Sequence, residues 1–447
     1  MFFWYFDVPL CKQPKIFKQS TQAFGDTSAA IGLEQGIIKF IAKAAKLDVT
    51  KHILEVIRYS DNICYSFKTN AEMFDVKKDL YQAFSKYSME LKYCISNVEN
   101  EKFVLQTPGR ESGEIERLLG LNWNIVDDTI QSTPVYNLFG QSRGRFLGPH
   151  LAEMSNEDIL SFSISRLTLL RLTAQTYCRL QNILGPLIMS IKALSSRACE
   201  LVSPEEFELP LRERDSDFVD LVQKFIMNLR HVDKILPFQR KWVKDGQCLV
   251  GFVVSCDGSK LGFGVSIHSL LSTEQGNLYR NIAMCKSRVS KRNIVSNEIC
   301  GALLGAKTLQ NLLQPLVYDY EDQDLSIFML HDSTCFLAML NEKINTRNVL
   351  ISNCIYGYKD VLFQISTQFR KSTIYICHIG GGDNPSDFMT KLLADPVQAI
   401  NSNLYRYGAS RFSSVDLLMT DKVLNGSFEF HGLPTKGSQH KHVHVLD

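Results

Sequence analysis

The chain lacks most of the features that would confine it to a specialised class. No two of its cysteines (Cys11, Cys64, Cys94, Cys178, Cys199, Cys248, Cys256, Cys285, Cys300, Cys335, Cys354 and Cys377) stand in a C-x-x-C spacing, so zinc-ribbon and thioredoxin-like motifs are not indicated. Several sit in apolar runs, Cys248 and Cys300 among them. The expectation is buried free thiols in a reducing compartment, cytoplasm or nucleus, rather than a secreted protein. Long apolar runs are also missing. The longest, residues 248–256, is far too short to span a bilayer, so no membrane partner is expected. The opening Met-Phe-Phe-Trp-Tyr-Phe has no basic flank and no long apolar core, and is not read as a signal peptide. No sign of charge dominates: the formal net charge is +2 over 447 residues, so a nucleic-acid partner would have to be held by local patches. Internal repeats and low-complexity segments are absent.

What remains is an ordinary globular composition, 45% apolar and 21% charged, long enough for about two to four domains. Residues 54–66 read as a hairpin with its polar turn at Asp61 and Asn62. A helix follows, since Met73, Val76, Leu80, Phe84 and Tyr87 recur every three or four residues. Residues 89–95 look like a strand, which makes 1–100 an α+β unit. Residues 100–155 are mixed and turn-rich. Residues 157–203 are helical, with Leu160, Ile164, Leu167, Leu170 and Ala174 on one stripe, and Gly185-Pro186 divides them into two helices. An acidic loop over 205–217 leads to a further helix near 218–235.

At Gln247 the texture changes. Residues 249–254 are continuously apolar, as in a strand buried on both faces. Strands are expected at 262–268 and 282–285, then a helix over 297–313 capped by Ser296 or Asn297. Further strands follow at 325–330 and 373–377, with a helical stretch between them. The order β-β-β-α-β-α-β implies a mixed sheet with flanking helices.

Four acids fall at the ends of these elements. Asp257 ends the first strand, Glu298 opens the first helix, Asp332 ends the fourth strand and Asp387 follows the fifth. Each alone is ordinarily a turn, capping or dipole residue. Converging carboxylates repel and desolvate poorly unless a cation joins them, and hard oxygen donors suit Mg²⁺ or Mn²⁺. Two such ions about 4 Å apart activate water and stabilise the leaving oxygen of a phosphodiester.

The strings around these acids are Ser-Cys-Asp257-Gly-Ser, Lys286-Ser-Arg-Val-Ser-Lys-Arg292 leading to Glu298-Ile-Cys-Gly-Ala-Leu-Leu-Gly305, His331-Asp-Ser333, and His378-Ile-Gly-Gly-Gly-Asp-Asn-Pro-Ser-Asp387. They resemble the ribonuclease H domain of retroelement polyproteins, most closely the BEL/Pao group of LTR retrotransposons. The resemblance implies that Asp257, Glu298, Asp332 and Asp387 are both the catalytic residues and the ligands of two Mg²⁺ or Mn²⁺ ions, and that the substrate is the RNA strand of an RNA–DNA hybrid. Upstream, Phe3-Trp4 and Thr21-Gln-Ala-Phe-Gly-Asp-Thr-Ser28 are similar to the polymerase palm. Arg58-Tyr-Ser-Asp-Asn-Ile63 stands where that family has its Tyr-x-Asp-Asp turn. Leu118-Leu-Gly-Leu-Asn-Trp123 and the helices of 157–200 resemble the segment joining polymerase to nuclease, and Asn403-Leu-Tyr-Arg-Tyr-Gly408 resembles the stretch after it.

The departures are equally specific. The turn reads Tyr59-Ser-Asp61-Asn62, with an amide where the second aspartate stands, and the family's other palm aspartate would lie upstream of Met1. Reverse transcriptase activity is therefore not expected. Gly380 replaces a usual proline, and Cys178-Arg179 replaces a common Asp-Pro. The implied organisation is a partial palm over 1–100, a mostly helical thumb- or connection-like region over 101–240, a ribonuclease H-like domain over 241–395, and a C-terminal extension with a disordered tail over 396–447.

Lys286, Arg288, Lys291 and Arg292 cluster before Glu298 and are candidate phosphate contacts. His378 reads first as a strand-end histidine. The alternating His440, His442 and His444 read as part of a tail without function. The Gly380-Gly-Gly382 triplet lacks the Lys-Ser/Thr of a phosphate-binding loop. Two functions stay open: a metal-dependent endoribonuclease of the ribonuclease H type, or a non-catalytic remnant that binds nucleic acid, protein or other products of the same polyprotein.

Overall fold

In the computed structural model, the described residues run from 115 to 409, except 119–120, 133–135, 143–144, 176–183, 200–206, 212–215, 242, 244–245, 343, 345 and 394. Residues 413–414 are also described, with short upstream pieces at 2–3, 16–17, 57–59, 62–64 and 70–86. The chain divides into two compact units, 1–113 and 114–447. No helix among the described residues is long and apolar enough to cross a membrane.

In the first unit, Ile57–Tyr59 pairs antiparallel with Asn62–Cys64, with Tyr59 opposite Asn62. This is the hairpin expected over 54–66. Helix Asn70–Lys86 spans the positions from Met73 to Phe84 of the expected helix, and Tyr87 lies outside the described residues. Asp61, the strand expected at 89–95, and the three tail histidines lie outside the described residues.

The second unit opens with a small antiparallel sheet of Ile115–Leu118, Leu121–Asn124, Thr129–Gln131 and Phe238–Gln239. Its last strand returns from beyond the helices and is held there by the Arg240–Asp128 ion pair at 2.5 Å. Between lie helices Asn156–Ser161, Arg166–Gln175, Gly185–Ala198 and Ser216–Leu229. Gly185-Pro186 separates two helices as expected, and it does so by opening the second, Gly185–Ala198. Pro186 sits in the first turn, where a missing N–H costs no hydrogen bond.

The main sheet is built from β1 (Gln247–Gly258), β2 (Gly262–Thr273) and β3 (Leu278–Val289), a meander, followed by α1 (Ile294–Leu313). Then come β4 (Ser326–His331), α2 (Thr334–Leu340), α3 (Val349–Gln368) and β5 (Thr373–His378). After these follow α4 (Pro396–Asn401), α5 (Asn403–Tyr407) and the short β6 (Ser413–Ser414). The spatial order is β3-β2-β1-β4-β5-β6. β4 and β5 run parallel to β1, and the other pairings are antiparallel. This is the mixed α/β sheet with flanking helices that the element order implied.

The unbroken apolar run of β1 follows from cover on both faces. Phe252, Val254 and Cys256 point into the core under α1 and α3, with Val265, Ile267, Leu309, Tyr358 and Ile376. Val253 points the other way, toward Leu330, Cys377 and Ala409. Helix Gly185–Ala198 packs on β3 from that second side, where Lys192 Nζ donates to the Ser287 carbonyl at 2.7 Å. The expected cap of α1 was misplaced. Asn293 is the N-cap and its side chain accepts from the Ser296 amide, while Ser296 and Asn297 are buried inside the helix. Cys199, Cys248, Cys256, Cys285, Cys300, Cys335, Cys354 and Cys377 are free thiols. Cys300 is buried as expected, whereas Cys248 is exposed because β1 begins one residue before it, at the sheet's rim.

Glycines set how closely α1 approaches β1. A side chain on Gly258 would collide with the backbone of Asn297 and Glu298, and one on Gly301 would press on the Asp257 carbonyl. Gly258→Ala should therefore cost roughly 1–3 kcal/mol of stability, the range for overpacking. Gly382→Ala, whose new methyl would enter open space, should stay within about 0.5 kcal/mol. Urea unfolding of both variants checks this, and equal stability of the two would refute the close-approach argument.

Candidate metal centre

Strand register places the first two acids. β1 and β4 run parallel with Cys256 opposite His331, so the next residue of each strand, Asp257 and Asp332, emerges side by side. Glu298 arrives from α1. It is the fifth residue of that helix and not, as the sequence suggested, its opening residue; the first turn holds no acid. Complementing the helix dipole therefore does not account for it. Oxygen atoms of Asp257, Glu298 and Asp332 all lie within 4.8 Å of one another.

Asp387 is not part of this group. It sits on the 3-10 turn Pro385–Met389, and both its oxygens engage Lys391 Nζ, four residues on. Its charge is nonetheless near enough to disfavour ionisation of each of the other three.

A frame of hydrogen bonds fixes the group. Asn297 Nδ2 donates to the Ser259 carbonyl at 2.7 Å, tying the start of α1 to the end of β1. The Gly258 amide donates to the Glu298 carboxylate. Asn384 Nδ2 reaches the Cys256 carbonyl at 3.0 Å and also serves Asp332. The Thr390 hydroxyl donates to Asp257 Oδ2, and Ser259 Oγ donates to the Thr390 carbonyl at 2.7 Å. Under the strand end, Ser386 Oγ donates to the Ser255 carbonyl at 2.5 Å. His331 is buried and held uncharged, its pKa pushed down to about 3 by burial, and its Nε2 meets the Tyr358 hydroxyl at 3.0 Å.

The electrostatics are those of a group that wants a cation. Burial first, then the Asp332 and Asp387 charges, push Asp257 up to about 6 against the Thr390 hydrogen bond. Burial and the charges of Asp332 and Asp257 push Glu298 up to about 9. Asp332 is also raised, chiefly by burial. Asp332 Oδ1 is shut off from solvent with no hydrogen-bond partner. Three hard oxygen donors with one oxygen unsatisfied fit Mg²⁺ or Mn²⁺.

The basic cluster lies on the α1 side of the sheet. Lys286 pairs with Val265 and Arg288 with Phe263, whose side chains both belong to the core under α1. Residues directly opposite in a ladder share a face, so Lys286 and Arg288 do too. Lys286 is half-buried, while Arg288, Lys291 and Arg292 are exposed. Arg292 Nη1 reaches Cys300 Sγ at 2.9 Å. His378 ends β5 opposite His331, half-buried. The sequence reading missed Gly258, Asn384, Thr390 and Lys391. Only the Asp387/Lys391 spacing, i and i+4, offered a signal.

Carboxyls whose pKa is raised on folding keep protons that the unfolded chain releases. Their contribution to stability is complete below the ordinary carboxylate range and is lost as pH rises through the folded values. With chelator present, the thermal midpoint should therefore fall as pH goes from about 5 to about 9. Glu298→Gln should flatten the upper part of that slope, and Mg²⁺ should restore the midpoint most at the alkaline end. A flat profile in chelator would contradict the raised carboxyls.

Comparison with known proteins gives one family-model match over part of the chain and several similar solved structures. Solved structures with similar folds include the N-terminal RNase H domain of rv2228c from Mycobacterium tuberculosis, fused to maltose binding protein. That match has 13% identity over 34% of this chain and 96% of that one, with a TM-score of 0.23. RNase H1 from the halophilic archaeon Halobacterium salinarum NRC-1 shares 11% identity over 31% of this chain and 89% of that one, with a TM-score of 0.19. A foamy viral protease-reverse transcriptase in complex with double-stranded DNA shares 11% identity over 78% of this chain and 49% of that one, with a TM-score of 0.38. No curated protein matches the chain. Residues 165–329, which hold helix Arg166–Gln175, the meander, α1, Asp257 and Glu298, match the model of the Pao retrotransposon-like RNaseH-like domain.

Proposed function

We propose that this chain is a retroelement-derived nuclease of the ribonuclease H type that hydrolyses the RNA strand of RNA–DNA hybrids with the help of divalent cations. The observation that carries the reading is the convergence of Asp257, Glu298 and Asp332 from two parallel strand ends and a helix, with one buried Asp332 oxygen left unsatisfied. The family match over 165–329 supports it.

In this reading Asp257, Glu298, Asp332 and Asp387 would together hold two Mg²⁺ or Mn²⁺ ions. Cations bound there would supply the Lewis acidity that activates water and stabilises the leaving 3′ oxygen. The chain's own residues provide the geometry. Asp257 is oriented by Thr390, Asp332 by Asn384, and Glu298 by the Gly258 amide. Lys286, Arg288, Lys291 and Arg292 hold phosphates without reading sequence. The Tyr59–Asn62 hairpin, with Asn62 in place of an aspartate, takes no part in nucleotide transfer.

With a labelled hybrid and Mg²⁺, the full chain should cut the RNA strand. Asp332→Asn should lower the rate by more than about a hundredfold, beyond the loss expected for an outer-shell partner. Equal cleavage by wild type and variant would overturn the assignment. The pairing of Asp387 with Lys391 favours the rival reading, a domain that binds nucleic acid without turnover. Hybrid binding with no product at any Mg²⁺ or Mn²⁺ concentration would establish that rival. In either case Arg288→Ala should weaken hybrid binding and lower its salt slope by about one, and an unchanged slope would remove Arg288 from the interface.

A further inference from the structure

We infer that Lys391 is a positioning residue that acts as a built-in counter-cation of the acidic site: by holding Asp387 it limits the site to one tightly bound divalent ion and makes the second bind weakly. The inference rests on the proposed metal site and goes beyond it, because it concerns the order and strength of ion binding rather than the reaction.

Three observations carry it. First, the group able to share an ion comprises Asp257, Glu298 and Asp332 and leaves out Asp387, although Asp387 is close enough to act on all three electrostatically. Second, Lys391 Nζ engages both oxygens of Asp387. The pair is local in sequence, Asp387 lying on the turn Pro385–Met389 and Lys391 two residues after it. Third, the Lys391 ammonium is drawn by Asp257 and Asp332 as well as by Asp387. It therefore places a fixed positive charge beside the very carboxylates a second ion would need.

The consequence follows from charge and valence. An ion entering between Asp257, Glu298 and Asp332 meets three oxygens and displaces no cationic side chain. An ion that also recruits Asp387 must displace the ammonium, and it feels repulsion from that ammonium if it stays nearby. The Lys391–Asp387 pair is partly exposed, with side-chain exposures of 54% and 27%. Solvent therefore moderates the effect and leaves it as a difference in affinity, not a block.

Calorimetric Mn²⁺ titration of the full chain at neutral pH, without nucleic acid, tests this. The wild type should bind one ion tightly and a second at least about tenfold more weakly, the scale of one charge-assisted hydrogen bond. Lys391→Met and Lys391→Gln should bring the second ion's affinity up about tenfold, while Lys391→Arg should behave as wild type. Asp332→Asn should abolish the tight ion in every background. If wild type and both neutral variants give the same isotherm, and Asp332→Asn still removes the tight ion, the Lys391 inference fails and the metal site stands. If no variant binds Mn²⁺, both fail together.

Discussion

The mutual repulsion of carboxylates at a parallel strand end is the constraint around which the rest of the second unit is arranged. Asp257 and Asp332 are neighbours because Cys256 lies opposite His331 in the β1–β4 ladder. A slip of one residue would turn one of them to the other face of the sheet. Glu298 completes the group only because Gly258 and Gly301 let α1 lie almost against the backbone of β1. Without a cation, burial and then the charges of Asp332 and Asp257 hold the proton on Glu298 up to about 9.

The support for this arrangement comes from chain segments far apart in sequence. The turn Pro385–Met389 packs beneath β1 and β2, and the helix Gly185–Ala198 packs on β3. A side chain on Gly185 would collide with Tyr405 and Cys285, so the start of that helix, β3 and α5 share one tightly filled contact. His268 Nε2 meets the Tyr405 carbonyl at 2.8 Å, and Arg280 donates to the Ala409 carbonyl. The family match begins at residue 165, well before β1, and is consistent with helix and sheet forming one packed body.

Much of this was legible in the sequence because two strong periodic signals bear on it. The doubly covered run of β1 and the stripe of α1 fixed the main elements, and Ile57–Tyr59 pairs with Asn62–Cys64 within the expected hairpin. The acids Asp257 and Asp332 could be read from strand ends alone. Their supports could not. Asn384, Thr390 and Gly258 act through contacts across 128, 133 and about 40 positions of chain, and nothing local marks them. The cap of α1 was misread because Asn293, Ser296 and Asn297 are all capping residue types, and only the geometry selects the first of them. Asp387 looked equivalent to the other acids because its partner, Lys391, reads in sequence as a solvated surface charge.

The most direct measurement is a crystal of the full chain soaked in Mn²⁺, with data collected for anomalous scattering. The account predicts a peak shared by oxygens of Asp257, Glu298 and Asp332, at coordination distances of about 2.0–2.3 Å. A peak elsewhere, or a Glu298 carboxylate turned away from the two aspartates in the occupied crystal, would contradict it.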